Sequence, residues 1–150
     1  MNTVNQAPET ISSIQGIISK IQNKSVDAEI IIEDTRRLIS EIDGVIKAWQ
    51  TLNWDHVSKQ LDFLISRQNW RSLPLASVPI AVKDVYDTAD FVTTYGSTIY
   101  ENHRPSTDAK LVAILRSLGA IVVGKTVTTE FAYWQPGPTV NPHNTLHTPG

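Results

Sequence analysis

The chain has 150 residues, with 13 Lys and Arg against 15 Asp and Glu and a formal net charge of -2. That balance carries no electrostatic footprint for nucleic acid or an anionic membrane. The absence of cysteine excludes disulfides, thiolate nucleophiles and Cys-ligated metals, while 41% hydrophobic residues at this length are enough for one globular domain with a real core.

The opening residues lack the basic start, apolar stretch and small-residue cleavage site of a secretory signal. No apolar run approaches the roughly 20 residues that span a bilayer, so the expectation is a soluble, cytoplasmic protein. Ile11, Ile14, Ile17, Ile18 and Ile21 recur at helical spacing, and Ile31, Thr35, Leu38, Ile39 and Ile42 do so again after a polar break. Gly44 reads as the stop of that second helix. Residues 45–50 alternate and predict a strand. Asp55 is placed to cap a third helix, carrying Val57, Leu61, Leu64 and Ile65 and giving out near Asn69. The polar faces are mixed in sign, so these apolar stripes are packing surfaces and not membrane-binding ones.

The second half is punctuated by Pro74 and Pro79, and residues 80–85 form a β-rich run interrupted by Lys83 and Asp84. Ser106, Thr107 and Asp108 offer an N-cap for a helix through Leu111, Val112, Ile114, Leu115 and Leu118, stopped by Gly119. Residues 120–123 are continuously apolar, as in a parallel-sheet strand buried on both faces. Strand, helical crossover and strand make a βαβ unit, expected to be right-handed. From residue 133 onward there is no periodicity, which predicts loop. The fold class is therefore α/β: N-terminal helices followed by the start of a mixed, largely parallel β-sheet with flanking helices. The division falls between residues 1–72, helical with one short strand, and residues 73–150, the first part of the α/β core. With few clear strands to cover the sheet edges, the segment is expected to be less stable than its length suggests.

Residues 119–126 match GxxxxGK[ST] letter for letter, yet a phosphate-binding loop needs a preceding strand and an exposed, flexible backbone. Here a helix precedes Gly119 and the intervening residues are Ala120, Ile121, Val122 and Val123. Gly124 reads as a strand end, with Lys125 emerging at the surface. His143 and His147 are four apart, but Pro142 and Pro149 oppose a helix and the Glu of HExxH is missing, so they read as solvated loop residues. His56 and His103 stand beside no other ligand type. Lys83 shares a strand face with Ala81 and Val85, whereas Asp84 points the other way with Ile80 and Val82. A lysine so placed either snorkels from a strand end or is desolvated for use as a base, since burial disfavours an ammonium.

Six motifs stand in one order and spacing: PIAVKD (79–84), TTYGS (93–97), DAKLV (108–112), LRSLGAIVVGKT (115–126), EFA (130–132) and NPHNTLHTPG (141–150). Together they resemble the N-terminal part of the amidase signature family. The resemblance runs from about Asp43 onward, and the preceding helices look like that family's N-terminal helical segment. It implies an amide hydrolase with a Ser, cis-Ser, Lys triad that converts a carboxylic amide to a carboxylate plus ammonia or an amine through an acyl-enzyme. On the matching motif the lysine is Lys83. Phe131, Tyr133 and Trp134, after EFA, are expected to line the acyl side of the pocket, against the alternative that they only pack the loop on the sheet. The implied partner is a small-molecule amide, with no cofactor, metal, nucleic acid or membrane, and a homodimer of the intact enzyme is allowed.

The sequence also departs from the family pattern. The bridging serine belongs to a Gly-Gly-Ser-Ser stretch that follows the Pro-Gly seen here as Pro149 and Gly150, and the nucleophile lies further on. Ser97, Ser106 and Ser117 stand in neither motif. The expectation is an N-terminal fragment, inactive alone. Ala76 and Ser77 replace a Gly frequent before the Pro-Ile pair, which puts the local turn in question. Two other readings remain: the amidase subunit of a tRNA-dependent amidotransferase, which residues 133–138 resemble less well, and a non-catalytic remnant that binds at most.

Overall fold

The structure is a computed structural model that describes residues 13–149; Ile11 lies outside them. Helix α1 (Ile14–Gln22) starts at Ser13, whose Oγ accepts the Gly16 N–H at 3.2 Å. Helix α2 (Ala28–Ile46) runs through Gly44, contrary to the expected stop. An internal glycine costs a helix only about 1 kcal/mol. The ending comes instead from Lys47 in left-handed backbone (φ 56°), whose N–H donates to the Asp43 carbonyl at 2.8 Å. The Asp43 carboxylate accepts the Ala48 N–H at 2.6 Å. Strand β1 (Trp49–Leu52) consequently starts later than the alternation suggested.

Helix α3 (Trp54–Ser66) is capped by Asn53, which accepts the His56 N–H at 3.1 Å. Asp55 sits inside the first turn, where a carboxylate complements the helix dipole without capping. Strand β2 is Pro79–Lys83, helix α4 is Lys110–Ser117 and strand β3 is Ile121–Thr126. The expected cap of α4 is otherwise engaged: Asp108 accepts the Ala89 N–H at 2.8 Å and lies 3.0 Å from Arg116 Nε. Gly119, at φ 99°, does end α4.

The sheet has order β1-β3-β2, with β2 parallel and β1 antiparallel to β3. Because side chains alternate along the central strand, β3 feeds two cores. Ile121 packs among Ile17, Ile21, Ile31, Val57, Leu61 and Leu64 of the first three helices. Val122 packs on the other side with Val82, Phe91 and Val112. Burying each such side chain stabilises by about 1.5–3 kcal/mol. The first core draws on residues from both sides of position 72, including Val78.

Two expectations fail on β3, which continues through Gly124 and Lys125 to Thr126. Gly124 is mid-strand opposite Leu52, and a Cβ there would lie 2.3 Å from the Thr51 carbonyl oxygen. Close approach of β1, not chain termination, requires the glycine. Lys125 is 0% exposed. The GxxxxGKT letters thus fall on a helix end and a buried strand. Among the described residues no helix is long and apolar enough to cross a membrane.

Candidate active site

Lys83 is the last residue of β2, in register with Thr126 of β3. Val82 and Asp84 are buried on one face while Ala81 and Lys83 are exposed on the other, the alternation expected of the run. Lys83 is therefore exposed and not buried in the core. Its distinction is location. Lys83 lines a cavity of about 490 Å³ with Ala48, the backbone run 126–129, Trp134 and Pro149. The hydroxyl-bearing residues of that lining are threonines: Thr126, Thr128, Thr129, Thr139 and Thr148. A second cleft, of about 510 Å³, lies elsewhere, between Gln22 and Lys24 on one side and Trp70 and Arg71 on the other. Its arginine is already engaged with the Ile21 carbonyl and Asp27, both at 3.0 Å.

Immediately behind Lys83 is a buried ionic network. Asp84 Oδ1 lies 2.9 Å from Lys125 Nζ, and Asp84 Oδ2 accepts the Thr94 N–H at 2.9 Å and the Thr94 hydroxyl at 2.5 Å. Lys125 also donates to the Tyr86 carbonyl at 2.8 Å and to Thr93 Oγ1 at 2.6 Å. Three partners match the three N–H donors of an ammonium. Burial pulls the Lys125 amine below its ordinary value, against the hydrogen bond and charge of Asp84.

The loop 93–97 carrying Thr94 is strapped to the segment after β3. Gly96, at φ 72°, approaches so closely that a Cβ would meet the Thr129 carbonyl oxygen at 2.9 Å. The Phe131 N–H donates to the Tyr95 carbonyl at 2.7 Å, and Ser97 Oγ donates to Glu130 at 2.7 Å. Tyr95 donates to Asp87 at 2.5 Å, and that hydrogen bond, with burial, pushes its phenol up to about 12.

Of the four residues singled out in the sequence, Lys83 and Trp134 share the cavity wall. Phe131 stands edge-on to Tyr100 at 6.1 Å between centroids. Tyr133, 84% exposed, tilts against Trp134 at 6.5 Å. Ser97 is committed to Glu130 and Ser117 Oγ to the Ile114 carbonyl. What pattern reading missed is the Asp84–Lys125 pair. The partial signal in the sequence was the alternation that turns Asp84 to the core face just past β2; that Lys125, two residues beyond the apolar run, is its partner needed the fold.

A three-stranded mixed sheet covered by helices, with a lysine at the end of the parallel edge strand, is a mixed α/β architecture. Comparison with known proteins makes it specific: the amidase family model matches residues 31–150, and the chain belongs to that family. A glutamyl-tRNA(Gln) amidotransferase subunit of Exiguobacterium sibiricum is 32% identical over 145 residues, covering 91% of this chain and 30% of that protein. Urea amidolyase of Saccharomyces cerevisiae is 36% identical over 121 residues, covering 80% of this chain and 6% of that protein. The solved peptide amidase of Stenotrophomonas maltophilia superposes with a TM-score of 0.84 at 27% identity, covering 95% of this chain and 32% of that one. The chain thus spans about 30% of the length of the first of these relatives.

Proposed function

We propose that this chain is the lysine-bearing N-terminal part of a hydrolase that cleaves carboxylic amides, with Lys83 as its proton-transfer residue. The observation that supports this most is the place of Lys83: at the carboxyl end of a parallel strand, on the wall of a cavity, in a chain of the amidase family. In open α/β sheets ligands collect beyond the carboxyl ends of the strands.

In this chemistry the lysine amine accepts the proton of a bridging serine, which takes the proton of the nucleophilic serine as its oxygen bonds to the amide carbon. The C–N bond then breaks as the lysine returns that proton through the bridging serine to the leaving nitrogen; water, giving its proton to the same relay, attacks the acyl carbon, and the nucleophilic serine takes that proton back as the carboxylate leaves. Neither serine motif occurs among the 150 residues, so the chain supplies the base and part of the cavity but no nucleophile. Alone it does not turn over amides. Trp134, which lines the same cavity as Lys83, and its neighbours Phe131 and Tyr133 form the acyl side of the pocket.

A second reading follows from the amidotransferase relative: the same site would release ammonia from an amide within a larger assembly, in place of free hydrolysis. Both readings are tested on the protein extended past Gly150 through its own coding sequence. A Gly-Gly-Ser-Ser continuation and turnover of simple amides, lost in Lys83→Ala, support the hydrolase. Turnover that requires partner proteins favours the amidotransferase. A coding sequence without serine motifs leaves a non-catalytic binding protein.

A further inference from the structure

The cavity wall has a reverse side, and the charges there have no part in the chemistry proposed for Lys83. Asp84 and Lys125 are both 0% exposed. Removing two charges from water is costly, and apolar side chains of similar volume frequently replace such a pair without loss of stability. Stability alone therefore does not account for it. What the pair has is reach. Lys125 holds the end of β2 through Asp84, the following turn through the Tyr86 carbonyl, and the loop 93–97 through Thr93. Asp84 returns to the same loop through Thr94, at both its N–H and its hydroxyl, while the Asp84 N–H donates to the Thr126 carbonyl at 2.9 Å. Adjacent strand residues point to opposite faces, and a slip of one residue would reverse them.

We infer that the Asp84–Lys125 pair is a positioning device, fixing the direction of Asp84 behind β2 and thereby aiming the Lys83 amine into the cavity. Both are positioning residues: the groups they touch are Thr93, Thr94, the Tyr86 carbonyl and each other. An apolar pair would keep the strands packed but would not choose the orientation of the β2 end. The purpose of the aim rests on the hydrolase reading; the aim itself does not.

The test on the 150-residue chain is 13C NMR after reductive methylation of its exposed lysines. The Lys83 signal is assigned by its loss in Lys83→Arg. In the double variant Asp84→Leu/Lys125→Met the Lys83 signal should move, as the amine loses its fixed place on the cavity wall, while those of Lys47 and Lys110 stay and the melting temperature changes by less than about 5 °C. A folded double variant with an unmoved Lys83 signal overturns the inference. Should the double variant not fold, Thr93→Val decides. It removes one acceptor from Lys125 without changing charge, and it should move the Lys83 signal part of the same way; an unmoved signal again overturns the inference. In the extended protein the double variant should lower kcat about 100-fold with KM unchanged, the scale of an ångström of misplacement. If Lys83→Ala there leaves turnover intact, the hydrolase reading fails while the NMR result still judges the positioning.

Discussion

The Ser77 N–H donates to the Gly119 carbonyl at 2.9 Å, and both residues lie in left-handed backbone, Ser77 at φ 55° and Gly119 at φ 99°. This bond ties the approach to β2 to the turn that launches β3, and so sets the two parallel strands side by side. Gly119 suits its conformation. Ser77 does not: it is fully buried, and among the described residues its Oγ has no hydrogen-bond partner.

Ser77→Gly should therefore stabilise the chain. Relief of left-handed strain is worth about 1–2 kcal/mol and loss of an unsatisfied buried hydroxyl about 1–3 kcal/mol, offset by about 0.5–1 kcal/mol of glycine backbone entropy. A rise in Tm of several degrees is expected in a thermal melt. Ser77→Ala, which removes the hydroxyl but keeps the strain, should give a smaller rise. Equal or reversed effects would show that the turn relaxes without cost.

Gly124→Ala should do the opposite. The added methyl meets the Thr51 backbone oxygen at 2.3 Å and Leu52 Cδ2 at 3.0 Å, so β1 must move away from β3. Overpacking of this kind costs about 1–3 kcal/mol. Hydrogen exchange should quicken at β1 amides before those of Ile121 to Val123, and a variant as stable as the parent would mean that β1 adds little to the sheet.

Tyr95 supplies a pH dependence. Its phenol is raised to about 12 by the bond to Asp87, above the ordinary 10.0 that the unfolded chain has. The folded state thus holds the proton longer. This stabilisation is fully present below pH 10 and is lost as pH rises from 10 toward 12. Ultraviolet titration of the four tyrosines should show one late phenolate, moved to lower pH by Asp87→Asn. A late tyrosine that persists in the variant would assign the shift to burial instead.

Local pattern carried the helices and β3 because Ile121 and Val122 each face a core, and uninterrupted burial writes an uninterrupted apolar run. It also carried the facing of Lys83 and Asp84, since period two is all that assignment needs. Pattern failed where a residue serves something remote in sequence. Gln60 of α3 donates to the Val122 carbonyl at 2.9 Å and accepts the Val122 N–H at 3.0 Å, 62 residues away, completing the stretch of β3 that β1 does not reach. Lys125 likewise reads as a surface lysine until Asp84, Tyr86 and Thr93 are brought around it. Caps failed for a milder reason: Asn53 and Asp43 compete with Asp55 and Gly44 within a few residues, and hydrogen-bond geometry decides between them.

The aromatic run after EFA separates packing from substrate contact. Tyr133 and Trp134 are 84% and 82% exposed, so truncating either removes little buried surface; surface changes of this kind alter stability by about 0.5 kcal/mol or less. Phe131 differs, being half-exposed in left-handed backbone and edge-on to Tyr100. Tyr133→Ala and Trp134→Ala should accordingly leave the melting temperature of the 150-residue chain unchanged within error, whereas Phe131→Ala should lower it. In the extended protein Trp134→Ala, which opens the cavity beside Lys83, should change the ranking of aromatic against aliphatic amides in kcat/KM by about 10-fold or more, because pocket contacts discriminate substrates at that scale. Tyr133→Ala, one ring further from the cavity, should change it less. If both variants keep the parental ranking, the acyl pocket is built from residues beyond this loop. If instead both variants lower the melting temperature of the 150-residue chain, the rings pack on this chain's own surface and the loop is structural.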